Sequence, residues 1–212
     1  CRPADSVVPV PDGLDPAEVV SLVLSYMTAY QMLHRSAKVK RGQTILIHGA
    51  GGAVGTALLQ LGKLMDLKMY GTGSKSKHEL ITGLGGIPID YRTEDFLERV
   101  GEGSMDAAFD TIDMDNFKRS FKSLKKGGAF VAYGFYNNAM GRGGNVPLDF
   151  MRVALWNVLP NGRSSQFYVI TGLRKKQPDW FREDLAALFD LLAQGKIKPS
   201  IHVHQRGAAS HL

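Results

Sequence analysis

Short uninterrupted apolar runs alternate along the chain with longer stretches in which apolar side chains return every three or four positions. The first long stretch opens at Asp15-Pro16-Ala17-Glu18: an N-cap, a proline at the first helical position and an acid placed to reach back as in a capping box. Val19, Val20, Val23, Met27, Tyr30 and Leu33 follow at helical spacing, which predicts a helix to about His34 or Ala37. Lys40 to Gln43 turns the chain into a first strand, Thr44 to Ile47. A glycine-dense turn through Gly55 then enters an amphipathic helix from Thr56 to Lys63.

The same alternation predicts five further strands: Lys68–Thr72, Ile87–Ile89, Met105–Asp110, Ala129–Tyr133 and Gln166–Ile170. The intervening helices run from about Lys75 to a glycine stop at Gly85-Gly86, around Phe96, Leu97 and Val100, over Asn116–Leu124, around Leu148–Trp156, and over Asp179–Gln194. The strands are apolar throughout instead of alternating, the mark of a parallel sheet covered on both faces. The predicted class is therefore α/β: a doubly wound, six-stranded Rossmann sheet of order 3-2-1-4-5-6. Residues 14–200 are expected to form this domain. Residues 1–13 are expected to be a linker left from a preceding domain, and 201–212 a truncated or loosely ordered tail.

Composition adds boundaries. The 212 residues are 44% hydrophobic and 22% charged, ordinary for a globular protein with a sizeable core. No apolar run approaches the roughly 20 residues of a membrane span, no secretory signal is visible, and the single cysteine, Cys1, excludes an internal disulfide framework. A cytoplasmic setting is expected. The net charge of +6 sits mostly at predicted helix ends and turns (Lys38, Lys40, Arg41; Lys122, Lys125, Lys126; Arg174, Lys175, Lys176) with no interleaved aromatics, which argues against a nucleic-acid partner.

The chemistry centres on Gly49-Ala50-Gly51-Gly52-Ala53-Val54-Gly55, between a strand and a helix. Glycines let backbone approach a pyrophosphate, and a helix start offers unpaired N–H groups and a partial positive charge. NAD, NADP and S-adenosylmethionine all use such a loop. The first and last commonly meet an acid at the end of the second strand, but here that strand ends Gly71-Thr72-Gly73-Ser74, followed by Lys75-Ser76-Lys77. A hydroxyl and an ammonium suit a 2′-phosphate, so NADP(H) is the expected cofactor. Tyr91 and Arg92 either flank the adenosine or pack locally as a turn pair.

Taken together, Val10–Glu18, Thr28-Ala29-Tyr30, Gly49–Gly55 with Gln60, Gly71–Lys77, Ile89-Asp90-Tyr91, Gly127-Gly128, Phe167-Tyr168 and Gly195–Pro199 resemble the zinc-independent quinone oxidoreductase branch of the medium-chain dehydrogenase/reductase superfamily. The resemblance implies an N-terminal GroES-like catalytic domain, which is not evident in this chain. It also implies hydride transfer between nicotinamide and a quinone, enone or related carbonyl compound. By position, Gly51, Gly52, Ala53, Val54 and Gly55 would hold the pyrophosphate, and Ser74, Lys77 and Tyr91 the 2′-phosphate. Thr28, Gly134, Phe135, Phe167 and Tyr168 would lie near the nicotinamide, the last two on the sixth strand. A homodimer through that strand is also implied, with Trp156 as a further contact. Two departures stand out: Gly51-Gly52-Ala53 replaces the family's small residue and two glycines, and the sequence after Ile201 lacks its usual closing strand.

Other chemistries fit less well. The lone Cys1 and the six histidines form no zinc set, although His202 and His204 would share one strand face. No tyrosine has a lysine four residues on, as a short-chain dehydrogenase requires, and no G-x-S-x-G elbow marks a hydrolase. His48 is expected to pack at the end of the first strand, and Tyr30 to pack on its helix. No catalytic acid is assigned. The rival to an oxidoreductase is a dinucleotide-binding sensor or scaffold without turnover.

Overall fold

A computed structural model describes residues 8–141 and 145–199, apart from the side chain of Asn138. Cys1, His202, His204, the tail from 201 and part of the Asn137–Asn145 loop lie outside the described residues. Six parallel strands form one sheet: β1 Thr44–Ile47, β2 Lys68–Gly73, β3 Gly86–Asp90, β4 Met105–Asp110, β5 Leu124–Ala132 and β6 Ser164–Phe167. Their order is β3-β2-β1-β4-β5-β6, so the chain reverses direction across the sheet between β1 and β4. In such sheets ligands bind at the carboxyl ends of the strands beside that reversal.

The continuous apolar strands have a direct cause. Ile45, Ile47, Ala107, Phe109 and Val131 face one core, while Leu46, Ala108, Phe130 and Ala132 face the other. The first core is closed by the helical segment 16–36 and by the helices Ala53–Leu64 and Pro178–Ala193. The second is closed by the helices Met114–Ser123 and Val146–Leu155. The inner stretches of β1, β4 and β5 therefore lose water on both faces, and no polar face is left there to alternate.

Segment 16–36 is one helical run capped by Asp15, whose side chain accepts from the Ala17 N–H. It widens into π-type turns at Leu22–Tyr26 and Met32–Ser36, bracketing the regular turn that carries Thr28. Val8 of the 1–13 segment packs on the first core, as does Leu14 just beyond it. At the other end, Gln60 donates to the Lys198 carbonyl and accepts its N–H, fastening the chain beyond Gly195 to the glycine-loop helix.

Three expectations need correction. β6 runs Ser164–Phe167, not Gln166–Ile170, so Phe167 ends the strand and Tyr168 lies just past it. The Tyr168 N–H still reaches the Ala132 carbonyl, but Val169 then caps a helix at Ile170–Lys176, a helix the apolar run Phe-Tyr-Val-Ile concealed. β5 begins at Leu124, not Ala129, because Leu124 pairs with Met105 before a register shift, and Gly127-Gly128 lie inside the strand. The predicted helix from Lys75 is split: Lys75–Lys77 is a 3-10 turn and the α-helix is His78–Gly83.

Candidate functional site

The carboxyl ends of β1, β2, β3 and β4 open onto a cleft of about 1350 Å³. Its floor is the glycine loop. Gly49 has φ +68, a conformation glycine adopts without strain, and its carbonyl accepts from Gly52 N–H to close the turn. Gly52 then serves as N-cap of the Ala53–Leu64 helix with no side-chain cap, and the first bond into the helix runs from Thr56 N–H to the Gly52 carbonyl. The helix start is therefore left with free N–H donors and its positive dipole end turned to the cleft. Gly55 lies against the turn itself: a Cβ there would stand 2.3 Å from the Gly49 oxygen and 2.6 Å from Ala50 Cα.

Along one wall, β2 ends without an acid. Ser74 Oγ lies 3.0 Å from Ser76 Oγ, and Lys77 reaches back across the loop, its methylenes filling the space where a Gly51 Cβ would sit. Tyr91 is 58% exposed after β3, and the Arg92 guanidinium stands 5.6 Å from the centre of its ring. The acids that do line the cleft are engaged. Glu94 accepts from Asp90 N–H at 2.8 Å, and Asp95 caps the Phe96–Val100 helix while pairing with Arg119. Gly51, Gly52, Ala53, Val54, Gly55, Ser74, Lys77 and Tyr91 thus share this one cleft.

Thr28, Gly134, Phe135, Phe167 and Tyr168 line a second, apolar hollow of about 350 Å³. Val54 and Tyr133 border both spaces, so the two lie side by side. Phe150 and Phe135 flank Phe167 with ring centres 3.9 and 5.1 Å away, making an aromatic wall.

Beneath the cleft is a polar network that sequence reasoning missed. The Asp110 carboxyl accepts from Ser120 O–H at 2.6 Å, from Asn116 Nδ2 at 2.8 Å and from Ile112 N–H at 2.9 Å. Ser120 oxygen, its hydrogen so used, takes the His48 Nε2–H at 2.9 Å, which leaves Nδ1 to accept from Thr72 O–H at 3.2 Å. Thr72 in turn accepts from Gly49 N–H, and Tyr133 O–H donates to the His48 carbonyl. The network suits a neutral imidazole, and burial pushes the His48 pKa down against the opposing pull of Asp110. Its signal was a polar residue following or ending two buried strands.

That direction fixes a pH dependence. Below about pH 6.5 the unfolded chain protonates His48 while the folded chain resists, so the histidine's contribution is complete above that pH and lost as pH falls. His34, also pushed down by burial, adds in the same sense. Urea midpoints are expected to fall between pH 7.5 and 5, and less steeply in His48→Gln. Parallel pH profiles for the two proteins would contradict this.

A second network backs the apolar hollow. Tyr168 O–H donates to Gln31 Oε1 at 2.8 Å, Gln31 Nε2 donates to Asp184 at 2.9 Å, and Arg35 holds the other Asp184 oxygen through Nε and Nη2 at 3.1 and 2.8 Å. Burial raises the Tyr168 and Tyr133 pKa values, Asp184 and Asp110 adding to the respective shifts, so both phenols stay protonated.

Among the described residues no three His, Cys, Asp or Glu side chains gather as a metal site, and no helix is long and apolar enough to cross a membrane. Residues 86–206 match the family model described as zinc-binding dehydrogenase. The chain is 33% identical over 218 residues to the synaptic vesicle membrane protein VAT-1 homolog of Danio rerio, covering 94% of this chain and 44% of that protein. Its fold is similar to a crystal structure of CurK enoyl reductase (TM-score 0.76, 26% identity, 93% of this chain and 57% of that one). It is also similar to the quinone oxidoreductase from Coxiella burnetii (TM-score 0.72, 26% identity, 93% and 56%). The chain spans about half the length of these proteins.

Proposed function

The chain belongs to the zinc-binding dehydrogenase family, within the quinone oxidoreductase-like branch of the medium-chain dehydrogenase/reductase superfamily, and from that premise we propose that it is the NADP(H)-binding domain of a zinc-independent oxidoreductase. The full-length protein would transfer hydride between the nicotinamide and a quinone, enone or related carbonyl compound, in the cytoplasm. The observation that carries this is the arrangement of two adjoining spaces: Ser74, Lys77 and the uncapped helix start at Gly52 line one, and the apolar hollow of Phe135 and Phe167 adjoins it across Val54 and Tyr133.

The residues fit the cofactor part by part. The free donors of the helix start at Gly52 suit a pyrophosphate, and Gly55 lets the helix close on the turn that presents them. Ser74 and Lys77 suit a 2′-phosphate, where an acid would repel it. Thr28, Gly134, Phe135, Phe167 and Tyr168 would border the nicotinamide, orienting it and excluding water. The cofactor itself supplies the hydride chemistry when bound. The edge position of β6 and the exposed Val158 and Leu159 just before it support a homodimer through that side.

An assay of NADPH oxidation by the full-length protein tests this, with a simple quinone or enone as acceptor. NADPH is expected to be consumed in preference to NADH. Lys77→Ala is expected to weaken NADPH by about 1–3 kcal/mol in kcat/KM, the value of one charge-assisted contact, and to leave NADH unchanged. Equal losses for both cofactors would remove Lys77 from the phosphate site. Tight NADPH binding without oxidation by any quinone or enone would favour the sensor instead.

A further inference from the structure

The stem of Lys77 lies directly on Gly51. A Cβ at Gly51 would stand 2.8 Å from Lys77 Cγ, 2.9 Å from its Cβ and 3.1 Å from its Cδ, against the roughly 3.5–4.0 Å of ordinary carbon contact. The backbone does not ask for glycine here, because φ is positive at Gly49 and not at Gly51. The demand is for space, and the lysine takes that space. This gives a reason for one departure from the family's pattern, which commonly has a small side chain at this position.

Both partners are held in place. Ala50 N–H donates to the Thr72 carbonyl at 2.9 Å and Gly49 N–H to Thr72 Oγ at 3.2 Å, which ties the loop to β2. Lys77 ends the 3-10 turn, its own N–H donating to the Ser74 carbonyl at 2.8 Å. On its other side Gly73 leaves it room, since a Cβ there would come within 3.5 Å of Lys77 Cβ. A rotamer change can carry Cγ and Cδ away from an added methyl, but Cβ moves only with the turn that bears it. A side chain at position 51 would therefore swing the lysine off the loop and push the 75–77 turn outward.

We propose that Gly51 is a positioning residue: lacking a Cβ, it seats Lys77 across the glycine loop and so sets the preference for a 2′-phosphorylated dinucleotide. This rests on the cofactor reading above. It separates Gly51 from a glycine that only lets backbone approach the pyrophosphate, a group that NADPH and NADH share. Loss of that second role would weaken both cofactors by the same factor.

The probes are NADPH and NADH, titrated calorimetrically into the intact protein. In Gly51→Ala the affinity ratio of NADPH to NADH is expected to fall by roughly 3- to 10-fold, part of one charge-assisted contact. A ratio unchanged from the wild type would overturn the assignment. Urea unfolding tests the contact without any cofactor, through the cycle of Gly51→Ala and Lys77→Gly. Gly51→Ala is expected to lower the midpoint in the wild-type background and not in Lys77→Gly, where no side chain is left to collide. An equal drop in both backgrounds would overturn the proposal. Should Gly51→Ala alone not fold, adding Lys77→Gly is expected to restore folding, and failure of the pair to fold would likewise overturn it. A wild type that binds NADH as tightly as NADPH would overturn the cofactor reading, and with it the role in selectivity, while the urea cycle still decides the contact.

Discussion

Gly55→Ala is expected to lower stability by about 3 kcal/mol and to abolish measurable NADPH binding, the upper range for forcing one methyl into a packed site. The added carbon would meet the Gly49 oxygen at 2.3 Å and Ala50 Cα at 2.6 Å, both backbone atoms that no rotamer change can move aside. Relief requires the Ala53–Leu64 helix to withdraw from the turn, which takes its free N–H groups away from the cleft. Gly83→Ala is the control. A Cβ at Gly83 meets nothing within 4 Å, and alanine is the better helix former there. Urea unfolding and NADPH titration check both variants. A Gly55→Ala protein with unchanged midpoint and affinity would show that the turn is not the tight support described here.

Asp110→Ala is expected to be more damaging still, at about 3–5 kcal/mol, the range for removing one partner from a buried polar cluster. Asp110 is fully buried and answers three donors, from Ser120, Asn116 and Ile112. Without it Ser120 loses its acceptor, His48 loses a settled partner, and Thr72 no longer holds Gly49 N–H in one arrangement. Loss of cofactor affinity should therefore accompany loss of stability, because the glycine loop is tied to this network. Asp110→Asn keeps the shape and two acceptor lone pairs, and should recover part of both. Urea unfolding gives the magnitude. An Asp110→Ala midpoint near that of the wild type would show the network to be dispensable.

These two variants also mark what the sequence made legible and what it did not. Gly55 was visible because a glycine at the start of a helix, after a buried strand, has few explanations other than close approach. The first strand was equally visible: Leu46 and Ile47 face opposite cores, so both positions are apolar in a short run bounded by turns. Asp110, Ser120 and His48 were hidden because polar residues resemble surface until their partners, 72 residues apart for Ser120 and His48, are seen together. Asp184 gave a clue in retrospect. It shares an apolar helix stripe with Phe181, Leu185 and Leu188, where a carboxyl group requires a buried partner. Its partner Gln31 lies 153 residues away, beyond any local pattern. The end of β6 was misplaced for a different reason. Phe167 to Ile170 has the β-branched and aromatic composition of a strand, but the ladder with β5 ends at Phe167 and Val169 turns the chain into a helix.

The central claim is that the cleft over the glycine loop holds a dinucleotide whose 2′-phosphate lies at Ser74 and Lys77. Parallel calorimetric titration of the wild-type protein with NADPH and NADH tests it most directly. The account predicts tighter binding of NADPH by about 1–3 kcal/mol, one charge-assisted contact, and the loss of that difference in Lys77→Ala. Equal affinities, or tighter NADH, would contradict it.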